Sequence, residues 1–414
     1  MPTPAEAAPA APSVVSPQAW KSLWGSAIGY AMDGFDLLIL GFMLRMISTD
    51  LHLNAAAAGS LVTGTLIGAV LGGIGFGVLA DRFGRVRVLT WTIMLFAVFT
   101  GLCALAQGYW DLLLYRSIAG LGLGGEFGIG MTLVAELWPA GQRARVSSYV
   151  GLGWQAGVLA AALLIPLLLP VLGWRGMFVF GVFPALVAFV IRRTLDEPEM
   201  FLAQRSHRSH HSSLGLLVVN AEATKTSIGM TILCGVQNFG YYGVMIWLPN
   251  YLAGHFHFGL TQSAEWTAVT ILGMAAGIAL FGQVADRVGR RPAFLAWMIG
   301  AAVMVVVYAR LTSPGALLVG GAVMGFFVNG MLGGYGALMS ELYPTAARAT
   351  AQNVLFNLGR GIGGFGPLVV GGIAAAWGFS TAITLLAVLY VIDMAAVWLL
   401  IPERRGCALE QAEE

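Results

Sequence analysis

The sequence predicts an all-α membrane protein of twelve transmembrane helices in two pseudo-symmetric six-helix bundles. Three observations predict it. The 414 residues are 58% hydrophobic and only 10% charged, whereas soluble domains are about 45–50% apolar and about 25% charged. Stretches of roughly 20 mostly apolar residues, long enough to cross a bilayer, recur along the chain. Two polar motifs occur twice at one fixed separation. Too few charges remain to cover a water-facing surface, which excludes a soluble enzyme and a disordered scaffold.

The apolar stretches fall at roughly 20–45, 55–79, 88–107, 110–137, 144–168, 172–192, 226–250, 262–284, 293–311, 314–340, 348–374 and 377–401. Residues 1–19 form an Ala/Pro-rich tail without the basic-then-apolar plan of a signal peptide, so the first stretch is expected to persist as a helix. The polar interval 193–225 separates six spans from six. The expected domains are thus 20–192 and 226–401, with 402–414 as a C-terminal tail. The linker's His207, His210 and His211 read as a solvated cluster. Cys103, Cys234 and Cys407 are too scattered for a disulfide framework or a metal site, and no cofactor is expected.

The halves repeat. Gly77-Val-Leu-Ala-Asp81-Arg82-Phe-Gly84-Arg85 recurs as Gly282-Gln-Val-Ala-Asp286-Arg287-Val-Gly289-Arg290, with the aspartates 205 residues apart. Glu136-Leu-Trp-Pro139 with Arg143 recurs as Glu341-Leu-Tyr-Pro344 with Arg348 at the same separation. A parallel repeat of this kind encloses a site near the bilayer midplane. With both termini inside, seventeen of the 22 Lys and Arg fall on the cytoplasmic side, Arg192 and Arg193 among them. The positive-inside rule then sets the orientation. The expected location is the plasma membrane, as a multi-pass protein of a bacterial inner membrane.

These paired loops resemble the Gly-x-x-x-Asp-Arg-x-Gly-Arg signature of the major facilitator superfamily, and the resemblance covers about Trp20 to Pro402. Within it, Asp33-Gly-Phe-Asp36 resembles the first-helix motif of the aromatic acid:proton symporters. The run from Arg116 to Glu126 is similar to the fourth helix of bacterial metabolite:proton symporters for sialate, nicotinate and other organic acids. The resemblance implies a twelve-helix carrier working by alternating access, commonly driven by protons.

Each charged motif has a functional and a structural reading. Asp81 and Asp286 end the second and eighth spans, where a carboxylate can hold arginines and the positive end of a neighbouring helix. With Arg82, Arg85, Arg287 and Arg290 they read as a gate, or else as loops that merely keep positive charge inside. Glu136 with Arg143, and Glu341 with Arg348, fit the same network. Asp33 and Asp36 lie mid-span, three residues apart and so on one helix face. An ionised carboxylate at the bilayer centre costs about 2.5–3.5 kcal/mol even on the mildest scale. Both therefore face the protein interior, as proton carriers or as a structural pair. Glu126, about 15 Å along its helix from Arg116, is a further proton site or a packing residue. Arg116 is a rim cation or a partner for Asp36.

Arg360, deep in the eleventh span with Asn357 and Asn353 one and two turns earlier, needs an anion. Either Asp33 or a substrate carboxylate can supply it. The seventh span carries Gln237, Asn238, Tyr241 and Tyr242, with Asn238 the counterpart of Asp33; the fifth carries Trp154 and Gln155. These side chains stack on a flat substrate and offer hydrogen bonds, or simply pack. Gly120-x-Gly122-x-x-Gly125 lacks the preceding strand of a dinucleotide site and reads as close helix packing. Asp393 in the twelfth span reads as a structural hydrogen-bonding group.

No Gly-x-x-x-x-Gly-Lys-Ser/Thr occurs, and the only lysines are Lys21 and Lys225, so ATP-driven pumping has no support. The leading expectation is a monomer that imports a small organic carboxylate, aromatic or pyridine-based, together with protons. Its partners are that solute, protons and the lipid bilayer, with no nucleic acid. The alternatives are a proton-coupled exporter, an uncoupled facilitator and a non-transporting sensor.

Overall fold

The computed structural model describes residues 15–205, 212–256, 260–405 and 409. The linker histidines, Cys407 and residues 1–14 of the N-terminal tail lie outside it. The first two helices begin at polar caps: Ser16 Oγ accepts from the Ala19 amide ahead of α1 (Pro17–Asp50), whose first residue is proline, and Asn54 caps α2 (Ala55–Phe83) in the same way. Then come α3 (Arg85–Cys103), α4 (Tyr109–Leu137) and α5 (Arg143–Arg192). Two spans share α5, which breaks at Gly173, where φ is 63°. Short helices α6 (Glu199–Arg205) and α7 (Ser213–Leu216) lie in the linker.

The second half comprises α8 (Ala221–Phe256), α9 (Leu260–Val288), α10 (Arg290–Tyr308) and α11 (Pro314–Gly330). After it follow α12 (Tyr335–Leu342), α13 (Arg348–Gly363), α14 (Gly366–Trp377) and α15 (Phe379–Leu400). Among the described residues, eleven helical stretches are long and apolar enough to cross a membrane. The remaining expected span is α8, which has the length but carries Gln237, Asn238, Tyr241 and Tyr242 at its middle. Two spans are interrupted. A 3-10 turn at Met331–Gly334 joins α11 to α12, and a two-residue step joins α13 to α14 ahead of Pro367, which has no amide proton to continue the helix.

Glycine sets the packing within each bundle. A Cβ on Gly68 or Gly72 of α2 would lie within about 2 Å of the Ser117 or Leu121 carbonyl oxygen of α4. On Gly273 and Gly277 of α9 it would meet the carbonyls of Ala322 and Phe326 of α11 equally closely. Every member of the second set stands 205 residues after its partner in the first, so the repeat seen in the sequence is a repeat of helix contacts. Only hydrogen at these positions lets the backbones approach. Between the bundles, α2 meets α13 and α5 meets α9. The outer faces expose Ile67, Leu71, Val98, Leu163, Val319 and Leu368, as a surface bathed in acyl chains requires.

The glycine contacts give a direct test. Gly72→Leu and Gly277→Leu should each cost about 1–3 kcal/mol by overpacking, read as a lower thermal-unfolding midpoint of the detergent-purified protein. Gly75→Leu, where a Cβ has nothing within 4 Å, should leave the midpoint in place.

Candidate functional site

Two sites emerge: a charged latch at the end of the bundles that bears Asp81 and Asp286, and a pocket at mid-helix depth. In the latch, Gly84 and Gly289 adopt φ of 119° and 112°, a region open to glycine, and so turn α2 into α3 and α9 into α10. This leaves each aspartate facing the opposite bundle. Asp81 accepts from the amides of Ala349 (3.2 Å) and Thr350 (2.8 Å) and from the Thr350 hydroxyl (2.6 Å). Asp286 accepts from the amides of Ala144 (3.1 Å) and Arg145 (3.0 Å). Each carboxylate thereby caps the first turn of a helix in the other half, α13 or α5, where free amides and the helix dipole favour an anion.

Buried ion pairs back this arrangement. Arg85 lies 3.3 Å from Asp81 and 3.1 Å from Glu136, and Arg290 lies 2.9 Å from Asp286 and 2.7 Å from Glu341. Glu136 also pairs across the interface with Arg348 at 2.8 Å, and Arg143 stands 4.0 Å from Glu341. Arg82 and Arg287 are exposed and stand outside the network, Arg82 resting over the Phe83 ring. Sequence reasoning missed the outer layer: Glu197 accepts from the amides of Arg85, Val86 and Arg87, and Glu403 from those of Arg290 and Arg291.

At mid-depth, three buried carboxylates have unequal partners. Asp36 forms a two-pronged pair with Arg116, at 2.9 and 2.7 Å, and Arg116 also donates to Thr65. Of the two roles open to Arg116, the structure takes the partner of Asp36. Glu126 accepts from Arg192 at 2.6 and 3.1 Å and from Thr92 at 2.8 Å. Arg192 is therefore not a loop cation as the charge pattern suggested: it is 1% exposed and reaches inward from the end of its span. A Cβ on Gly29 would lie 2.2 Å from its guanidinium, so α1 closes tightly over this pair. Asp33 differs. Neither of its oxygens has a hydrogen-bond partner, and its nearest cation is Arg360, 3.9 Å away across the bundle interface.

Arg360 lies in the last turn of α13, just before the interruption, and faces a small pocket. Trp154, Gln237, Tyr241 and Tyr242, named from sequence, line it with Arg360. Asn238, likewise noted in the sequence, lines it too, and Tyr30, Asn329, Leu332 and Phe356 complete its walls. The guanidinium lies 5.1 Å from the Trp154 ring centroid and donates to the Tyr242 hydroxyl at 3.3 Å. The Trp154 indole donates to the Tyr241 hydroxyl, and Phe356 stacks on Phe127 of the other bundle at 3.8 Å. Two expected members stand elsewhere. Asn357 turns away to donate to the Gly124 carbonyl at 3.0 Å, joining the bundles, and Gln155 is buried with its amide unpartnered, outside the pocket lining. Asp393 makes no structural hydrogen bond among the described residues; both its oxygens are buried and unpartnered. Nor do the described residues gather three or more His, Cys, Asp or Glu that could hold a metal ion.

The sequence profile of the Major Facilitator Superfamily matches residues 26–264 and again 230–414. The chain belongs to this superfamily. It is 63% identical over 403 residues to a Haemophilus influenzae protein provisionally described as a metabolite transport protein, covering 96% of this chain and 99% of that one. It is 30% identical over 400 residues to the cis,cis-muconate transport protein of Acinetobacter baylyi, covering 95% and 97%. Its fold is similar to that of the proton:xylose symporter XylE solved with 6-bromo-6-deoxy-D-glucose, with a TM-score of 0.80 at 20% identity over 97% of this chain and 99% of that one. The protein is thus a multi-pass membrane transporter of small molecules, with the twelve-helix, two-bundle architecture of the superfamily, and not an enzyme.

The latch predicts a shift in accessibility. Asp81→Ala removes three hydrogen bonds to a charged acceptor, each worth about 1.5–3 kcal/mol when buried. A cysteine placed at Leu332 in the pocket should then react with a membrane-impermeant thiol reagent at least about tenfold faster from the latch end than in the Asp81 parent.

Proposed function

We propose that this transporter imports a small organic carboxylate with a flat, unsaturated skeleton by proton symport. The observation that carries the reading is the loose contact between Arg360 and Asp33 in an aromatic-walled pocket. A guanidinium is charged at all relevant pH and binds carboxylates two-pronged. Here it holds its internal anion without a hydrogen bond, so a substrate carboxylate can replace Asp33. Tyr30, Trp154, Tyr241 and Tyr242 offer ring faces for the skeleton. The similarity to a cis,cis-muconate transport protein supports an unsaturated organic carboxylate in general, that dicarboxylate itself not being the solute proposed here.

Charge conservation then provides the coupling. Empty, the centre holds one carboxylate and one guanidinium. A substrate monoanion entering alone would add one uncompensated negative charge to a site shielded from water, at a cost of several kcal/mol. A proton on Asp33 cancels that charge and frees Arg360 for the substrate in the same event. Substrate and proton therefore enter together, one of each. Asp36 and Glu126 hold tight arginine partners and take part in proton movement only as those pairs open. Alternating access comes from rocking of residues 20–192 against 226–401, with the Asp81/Asp286 latch closed on the cytoplasmic side, where both termini lie. The location is a bacterial inner membrane, and the monomer suffices because the pocket is made by one chain.

In proteoliposomes, uptake of a radiolabelled aromatic carboxylate should accelerate under an inward proton gradient, and Arg360→Ala should lower it at least about a hundredfold. Gradient-insensitive uptake would leave a facilitator instead. Asp33→Asn should keep substrate exchange between the two faces while losing the response to the gradient. If Asp33→Asn still accumulates substrate against its concentration, proton coupling resides elsewhere.

A further inference from the structure

Besides Arg360, the pocket contains a second polar element that the carboxylate reading leaves unused. Gln237 of α8 donates from Nε2 to Asn329 Oδ1 of α11 at 2.6 Å. Both side chains are only 2% exposed, and both line the pocket. The remaining half of each amide, Gln237 Oε1 and Asn329 Nδ2, has no hydrogen-bond partner. Exchanging the oxygen and nitrogen of both amides changes nothing essential. Two carboxamides sharing one hydrogen bond still leave one acceptor and one donor edge.

Such a pair is costly unless something completes it. A buried amide group left without a partner loses its hydration for no return. An apolar pair would pack α8 against α11 without that cost. Asn329 sits at the end of α11, directly before the 3-10 turn that interrupts the span. Its side chain is thus carried by the last helical turn rather than by a loop. The repeat counterparts of these residues are Met32 and Gly124, neither with a polar side chain. The element therefore exists on one side of the pocket only, as recognition of an asymmetric solute requires.

We infer that Gln237 and Asn329 form a second recognition subsite, which reads a neutral group able both to accept and to donate a hydrogen bond, such as a hydroxyl or a carboxamide, on the same flat skeleton whose carboxylate lies on Arg360. This rests on the carboxylate reading above and narrows it. A second carboxylate is a poor fit, because the amide pair brings no positive charge and Arg360 is the one cation lining the pocket among the described residues. A hydroxyl or carboxamide satisfies both free edges at once, and its unsubstituted analogue leaves both unpaired.

The test is a binding series on the purified full-length protein: benzoate, 3- and 4-hydroxybenzoate, 4-carbamoylbenzoate and terephthalate, with Kd measured by calorimetry. At least one neutral polar benzoate should bind about tenfold or more tightly than benzoate, which corresponds to about 1.4 kcal/mol. Terephthalate should bind more weakly than that compound. In Asn329→Leu and Gln237→Leu the preference should collapse to a ratio of about one. The ratio is internal to each variant, so any measurable benzoate binding certifies its fold. Asn329→Ser serves if a leucine variant does not fold. A preference that survives all these substitutions, no preference in the parent protein, or terephthalate as the best ligand would overturn the inference and leave the carboxylate reading standing. If no member binds, or all bind Arg360→Ala as well as the parent, the carboxylate reading falls and takes this one with it.

Discussion

The attraction between Asp33 and Arg360 across the bundle interface is the interaction on which the central site depends. Charges held away from water must be paired, and the three acids around the central site are paired in two ways. Asp36 with Arg116 and Glu126 with Arg192 are short, multiply hydrogen-bonded and contained in the N-terminal bundle. They fix α1, α4 and the end of α5 relative to one another and can travel as one body. The third pair is longer, lacks a hydrogen bond and has one member in each bundle. Separating the bundles stretches this pair without breaking a hydrogen bond, and a competing anion has none to displace there.

The internal repeat has been kept where both halves need the same thing and lost where they do not. The backbone capping of the latch repeats: Asp81 caps residues 349 and 350, and Asp286 caps 144 and 145, one repeat length away, while the Thr350 hydroxyl and the short Glu136–Arg348 pair strengthen the Asp81 side. At the centre the halves diverge. Asp33 corresponds to Asn238, and Arg360 corresponds to Gln155. The N-terminal half thus contributes an acid and an amide, and the C-terminal half an amide and a base. That division puts opposite charges on opposite bundles.

Twelve spans were legible because crossing a bilayer constrains composition over some 20 residues at a time, and the duplicated Gly-x-x-x-Asp-Arg-x-Gly-Arg loop gave the repeat. Charged residues deep within spans were legible as well, since each demands a reason. Their partners were not. Arg192 stands next to Arg193 at the edge of a polar linker and reads as one of a row of cytoplasmic cations, although its side chain turns back to Glu126. Asn357, one turn before Arg360, was expected in the pocket, but the rotation of α13 points it at the Gly124 carbonyl of α4. Tyr30, Asn329 and Phe356 carry no local signal at all. They belong to the pocket only because distant helices bring them there.

The interruptions at Met331–Gly334 and before Pro367 lie in the C-terminal bundle beside pocket residues Asn329, Leu332 and Arg360. The equivalent stretches of α4 and α5 are unbroken helix. Helical continuity is therefore distributed unevenly between the two halves, with interrupted backbone beside the pocket on one side only. Seen mechanically, the cargo would be clasped by bending in one jaw before the two jaws swing.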